Sequence, residues 1–162
     1  MTTADLIKQL GKAHEIGGLT SGPLAAHRTV RYAIADVLKA TLPGDAVVVD
    51  GLELNRETYD DSKWHGQTEW VLMYKSFLLH VKVEISGPNR QELKLEHRKL
   101  PLSRIQSVVL TTEHQEQAND AYLKSVGLVV RFSNTETVDV SATLPDQKAH
   151  KILSFAQHLN AR

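Results

Sequence analysis

The spacing of apolar residues changes at about residue 45, from a helical period to a strand period. Before that point the pattern predicts a helical hairpin. A first helix runs from about Thr3 to Glu15 and ends at Gly17 and Gly18, and a second is capped by Ser21. The apolar face of the second helix is formed by Leu24, Val30, Ile34, Val37, Leu38 and Thr41.

After residue 45, apolar and polar residues alternate in short runs, which is typical of half-buried strands. Turn residues such as Gly87, Pro88 and Asn89 separate some of these runs. Two polar stretches, Asn55 to Thr68 and Glu113 to Asp120, are predicted as loops. Seven strands result: 45–54, 70–74, 79–85, 93–98, 104–112, one that ends at residue 132, and 137–142.

A single amphipathic helix is predicted to end the chain. Asp146 and Gln147 lie in its first turn, where an acidic side chain suits the positive end of the helix dipole. Phe155 lies at the margin of the apolar stripe, and we predict that it is buried. The stripe itself consists of Ala149, Ile152, Leu153, Ala156 and Leu159.

Three stretches carry a resemblance to a known superfold. They are WVLMYKSFLLHVKVE (Trp70 to Glu84), KLPLSRIQSVVL (Lys99 to Leu110) and GLVVRFSNTETVDV (Gly127 to Val140). With seven antiparallel strands and a closing helix, the chain resembles a bacterial pleckstrin-homology (PH)-like domain from Gly44 to Ala161. The resemblance implies a mainly β, seven-stranded antiparallel barrel capped by a C-terminal helix. The domains are then 1–43, an added hairpin of two helices, and 44–162, the PH-like barrel.

Composition narrows the classes of function. Lys plus Arg and Asp plus Glu each number 19, and this balance argues against a nucleic-acid partner. The chain has no cysteine, which excludes disulfides and thiolate metal sites. No apolar run approaches the roughly 18 residues of a membrane span, and no signal peptide is evident, so we expect a cytoplasmic protein.

The first candidate site is the polar stretch Asn55 to Thr68. PH domains that bind lipids, by resemblance, read inositol phosphates with basic residues on the first two strands and their loop. In this stretch, however, the charges of acidic side chains cancel those of the basic ones. Lipid binding is therefore the alternative hypothesis and not the leading one. Trp64 either inserts into a partner or a membrane interface, or folds back over the barrel end. The candidate binding residues are Arg56, Lys63, Trp64 and His65.

A second basic group follows the fourth strand. Arg98, Lys99 and Arg104 could meet an acidic peptide or a headgroup, or form a solvated rim beside Glu96. Eight histidines are present, but their spacing matches no metal site, so no metal and no cofactor is predicted.

The sequence matches no catalytic motif, and we do not expect an enzyme. The leading hypothesis is a non-catalytic binding or scaffolding module that contacts a protein partner or associates with itself. Bacterial PH-like domains, as the resemblance implies, often assemble into symmetric rings. Two alternatives are peripheral attachment to anionic lipid through the 55–68 stretch, and an enzyme with a site between hairpin and barrel.

Overall fold

The computed structural model describes residues 2, 5–6, 28–44, 46–60, 65–87, 92–117 and 120–162. The chain divides into two compact units, Met1–Leu100 and Pro101–Arg162. Both are built mainly from antiparallel strands. The boundary between domains expected at residues 43 and 44 stays a prediction.

Within its described residues, the first unit combines the helix Arg28–Thr41 with a four-stranded sheet. The strands follow one another in space in the order β1-β2-β3-β4. The elements are α1 (Arg28–Thr41), β1 (Asp50–Asp60), β2 (His65–Met73), β3 (Phe77–Ser86) and β4 (Glu92–Pro101).

One face of this sheet forms the core of the first unit. Trp70 lies opposite Val81 in the register of β2 and β3, and both side chains are fully buried. Ala35 and Leu38 of α1 belong to the same buried cluster, so the helix packs on the sheet of its own chain. Other members are Leu6, Leu42, Val48, Leu72, Tyr74, Leu79, Val83 and Ile85.

The second unit is a three-stranded sheet with one helix. Its strand order is β5-β6-β7, and a short 3-10 helix, Leu102–Arg104, precedes it. The closing helix packs against β6 and β7. The elements are β5 (Ile105–Gln117), β6 (Asp120–Phe132), β7 (Thr137–Thr143) and α2 (Lys148–Asn160).

The closing helix confirms the prediction of a C-terminal helix, but it begins at Lys148, so the placement of Asp146 and Gln147 in its first turn was wrong. The Asp146 carboxylate accepts a hydrogen bond of 2.9 Å from the backbone N–H of Lys148, which satisfies one of the free donors at the helix start. Phe155 is fully buried, as predicted. Leu153 is only half-buried, so the apolar face is centred closer to Phe155 than the stripe indicated. The buried residues are Ala149, Ile152, Phe155, Ala156 and Leu159.

The prediction of one barrel requires a correction. Seven antiparallel strands and the mainly β class are confirmed, but the described strands form two open sheets and not a closed barrel. Pro101 has no N–H to donate, and the next residues turn in a 3-10 helix. The hydrogen-bond ladder of β4 therefore stops before β5 begins.

The two predicted N-terminal helices are described only in part. Asp5 and Leu6 are helical, and Thr2 and Asp5 form a reciprocal cap in which each side chain accepts from the other's backbone N–H. The rest of that helix lies outside the described residues. In α1, Ala35 and Leu38 face the core, whereas Val37 is 40% exposed, so its predicted place on the apolar face was wrong.

The prediction that the polar stretches Asn55 to Thr68 and Glu113 to Asp120 are loops was also wrong. β1 continues to Asp60 and β2 already begins at His65. β5 continues to Gln117 and β6 begins at Asp120. Pairing with a neighbouring strand satisfies the backbone of these polar segments, and this needs no apolar side chain.

Candidate interaction surface

The two sheets that the structure describes have four edge strands, and three of them carry features that discourage pairing with another chain. β1 has two register shifts against β2. β4 carries exposed Lys94, Glu96 and Arg98, and β7 is only seven residues long with an exposed Asp139. Bulges, charges and short length are the usual protections of a sheet edge.

The fourth edge, β5, also has two register shifts against its neighbour, but the segment between them, from Ser107 to Glu113, is regular. β5 is 13 residues long, and the segment from Ile105 to Thr112 contains no charged residue and no proline. Val109 and Leu110 are 41% and 42% exposed. Because successive strand residues point to opposite faces, an exposed aliphatic side chain lies on each side of this edge.

The backbone of β5 presents alternate residues to its free edge. Along β6, Phe132 donates to Glu136 and the carbonyl of Lys124 accepts from Leu144, so even-numbered residues of β6 point toward β7. Odd-numbered residues of β6 then bond to β5, where Val109 pairs with Val129 and Thr111 with Gly127. Between Ser107 and Glu113, the even-numbered residues of β5 therefore turn their N–H and C=O groups outward. They are Val108, Leu110 and Thr112.

An open depression of about 480 Å³ lies on the three-stranded sheet near this edge. Gly127 lies between Thr111 on β5 and Ser141 on β7, so the β6 backbone lacks a side chain there. The Ser125 hydroxyl donates a 2.8 Å hydrogen bond to the Glu113 carboxylate. The depression is thus lined by hydroxyl-bearing residues and by two residues of opposite charge, Glu113 and Lys124.

A polar cluster occupies the face of the four-stranded sheet opposite Trp70. The Glu69 carboxylate accepts a hydrogen bond from the Asn55 amide and is also hydrogen-bonded to the His80 ring. Glu69 and His80 are each about one-fifth exposed. Sequence reasoning missed this cluster because its members lie on three strands whose register the alternation pattern does not give.

A ladder of ion pairs continues along β3 and β4. The Lys94 ammonium nitrogen lies 2.9 Å from a carboxylate oxygen of Glu96 and 3.8 Å from one of Glu84. The Lys82 ammonium nitrogen lies 3.2 Å from the other carboxylate oxygen of Glu84. The hydrogen bond from Lys82 and the charge of Lys94 lower the pKa of Glu84, and the hydrogen bond from Lys94 lowers that of Glu96. Hydrogen bonding to Glu96 in turn raises the pKa of Lys94.

Replacing Lys94 with methionine is expected to raise the carboxyl pKa of both Glu84 and Glu96, because both carboxylates lose a nearby cation. NMR titration of the side-chain carboxyl signals measures this directly. In the wild type, the lowered pKa values stabilise the fold above the unfolded carboxyl pKa. This contribution is lost as pH falls through the folded values. Lys124→Met removes an exposed cation that lowers neither of these pKa values, and it should leave both unchanged. An equal pKa shift in Lys124→Met would contradict the role given to Lys94.

The predicted binding residues are only partly described. Lys63, Trp64 and the side chain of Arg56 lie outside the described residues. His65 is exposed at the start of β2, and Arg104 is exposed at the end of the 3-10 helix. Their proposed binding roles stay predictions.

The structure separates the two neighbouring cations of β4. Arg98 and Lys99 are both exposed, but adjacent strand residues point to opposite faces. The Lys99 ammonium lies 5.4 Å from the centre of the Phe77 ring, and that ring stacks on Tyr74. Lys99 thus makes a cation–π contact at the margin of the core.

Comparisons with family models, curated proteins and solved structures gave no match to this chain. Within the described residues, no cluster of three or more His, Asp or Glu side chains is placed to hold a metal ion. In the same part of the chain, no helix combines the length and apolar character needed to cross a membrane.

Proposed function

We propose that this protein is a non-catalytic binding module with a PH-like arrangement of strands, and that it binds another polypeptide by strand addition along β5. Seven strands in sheets of four and three, followed by a helix on the last sheet, support the PH-like arrangement. The sequence resemblance from Gly44 to Ala161 supports it as well.

The outward-facing edge of β5 carries the proposal. Val108, Leu110 and Thr112 turn their backbone groups away from β6, and β5 has no second neighbour in the sheet that the structure describes. An added strand gains affinity from main-chain hydrogen bonds and specificity from alternate side chains. Val109 and Leu110 supply apolar contacts on the two faces of that new pair.

The energy available at this edge suits a reversible contact. Water already solvates the outward groups, so each new hydrogen bond contributes only about 0.5–1.5 kcal/mol net. Burial of the exposed parts of Val109 and Leu110 adds about 25 cal/mol for each Å² of apolar surface removed from water. Several weak contributions of this kind together give a binding free energy that a single substitution can change measurably.

A displayed library of random peptides tests the proposal, because peptides that bind can be selected before the natural partner is identified. We expect selected peptides to protect the backbone amides of Val108, Leu110 and Thr112 from hydrogen exchange. The amides of Val109 and Thr111 face β6 and should already be protected in the free protein. Selected peptides that protect only amides outside β5 would overturn the proposal.

Val109→Lys is expected to weaken binding of these peptides about tenfold, because a lysine on an edge strand opposes pairing with an incoming chain. Fluorescence anisotropy with a labelled peptide measures the change. Val49→Lys is the matched control, since Val49 is 42% exposed and lies before β1 in the first unit. If the two variants weakened peptide binding equally, the effect of the lysine would not depend on its position at the β5 edge.

A further inference from the structure

We infer that the strand added to β5 is β5 of a second copy of this chain, paired antiparallel with Leu110 opposite Leu110. This inference rests on the proposed function and names the partner of the same edge. It commits to one register and to twofold symmetry.

The regular part of β5 is symmetric about Leu110. β5 has two irregularities against β6, one between Ile105 and Ser107 and one between Glu113 and His114. The regular segment between them runs from Ser107 to Glu113, with three residues on each side of Leu110. A twofold axis through Leu110 therefore pairs the whole regular segment of one copy with the whole regular segment of the other.

This register uses every outward backbone group of the segment. Leu110 exchanges both hydrogen bonds with its counterpart, and Val108 of each copy lies opposite Thr112 of the other. The pairing forms about six backbone hydrogen bonds across the axis. A shift by one residue would place each outward residue opposite one whose groups already bond to β6, such as Val109. A shift by two would leave part of the segment unpaired.

The exposed aliphatic side chains are covered by the same pairing. The two Leu110 side chains meet on the face that carries Leu128, their opposite residue on β6. Val109 lies opposite Thr111 of the second copy on the other face. The 42% of Leu110 that the single chain exposes is thereby largely removed from water.

Charge at the two ends of β5 favours the antiparallel direction. Arg104 is exposed just before the strand, whereas Glu113 and Glu116 are exposed near its end. Antiparallel pairing places the basic start of one copy near the acidic end of the other. Parallel pairing would place like charges together at both ends, which is unfavourable.

Charge substitutions at position 110 test the register. Leu110→Lys and Leu110→Glu each place two like charges opposite each other, so each variant should dimerise at least about tenfold more weakly than the wild type. An equimolar mixture of the two variants should recover dimer, because Lys then meets Glu. Sedimentation equilibrium across a wide concentration range measures the dissociation constants, with Val49→Lys as the control for an exposed valine.

Single cysteine substitutions test the register independently, because the natural chain contains no cysteine that could form other disulfides. Under mild oxidation Leu110→Cys should form a disulfide-linked dimer, since directly opposite residues lie within disulfide range. Val109→Cys and Thr111→Cys should link poorly alone and efficiently when mixed. Efficient linkage of Val109→Cys alone, or of Thr111→Cys alone, would place the axis elsewhere and overturn the register.

The outcomes separate this inference from the proposed function. A wild-type chain that stays monomeric, while library peptides still protect the Leu110 amide, overturns the second copy as partner and leaves strand addition intact. A dimer that survives both Leu110→Lys and Leu110→Glu unchanged also overturns the inference. Recovery of dimer only in the mixed sample supports the inference and with it the use of the β5 edge.

Discussion

Trp70→Ala is expected to destabilise the protein by about 3–5 kcal/mol, the range typical of a large aromatic residue removed from a packed core. Trp70 is fully buried and has the largest volume among the fully buried side chains that the structure describes. It belongs to the cluster in which α1 meets the four-stranded sheet. An alanine would leave a cavity that the paired strands on both sides cannot close.

Trp70→Phe should cost considerably less than Trp70→Ala. Among the described residues, no acceptor lies within hydrogen-bond distance of the buried indole N–H. Burial of a donor without a partner is unfavourable, so its removal offsets part of the lost apolar contact. The difference between the two variants thus separates the volume of the side chain from its polar atom.

Urea unfolding followed by far-ultraviolet circular dichroism measures both variants. Val47→Ala is the control, because Val47 is 60% exposed and its truncation should change the free energy of unfolding by less than about 0.5 kcal/mol. If Trp70→Ala were as mild as Val47→Ala, the packing of α1 on the sheet would be wrong. If Trp70→Phe matched Trp70→Ala, the indole N–H would have an acceptor.

Strands with a strong apolar alternation could be predicted from the sequence. β3 is the best example: Val81, Val83 and Ile85 are buried and the residues between them are half-buried. The strand is joined to β2 by a turn at Lys75 and Ser76, which the hydrogen bond from the Tyr74 N–H to the Phe77 carbonyl closes. In these segments, side-chain burial and backbone pairing depend on the same residues.

The polar ends of β1 and β2 could not be predicted in this way. Gln67 and His65 are exposed, so their sequence carries no signal of burial. They are strand residues because β2 is paired on both sides, with Glu84 and Ser86 of β3 on one side and with β1 on the other. Strand formation here depends on neighbours that are distant in sequence.

The candidate surface on β5 could be predicted only in part, because it too depends on strands that are distant in sequence. The alternation of residues along the strand places Val108 and Leu110 on one face, but it does not show that β5 lies at the edge of its sheet. It also cannot give the direction of backbone groups, which follows from the register with β6. The sequence does show the uncharged segment from Ile105 to Thr112, which is the one signal that could have indicated this edge.

Phe155→Ala is expected to destabilise the second unit by about 3–5 kcal/mol. Phe155 is fully buried on α2, and this helix packs against β6 and β7. Because helix stability in proteins comes mainly from packing of the apolar face, loss of this contact should also loosen α2. Leu153→Ala is the matched control, since Leu153 lies on the same helix and is only half-buried.

Hydrogen exchange locates the effect within the chain. With Phe155→Ala, we expect faster exchange at backbone amides of α2 and at Val130 and Val138, whose side chains are buried in the same unit. Circular dichroism should show a lower free energy of unfolding than for Leu153→Ala. Similar free energies for the two variants would mean that Phe155 does not anchor the helix. The packing of α2 on the second sheet would then lose its main support.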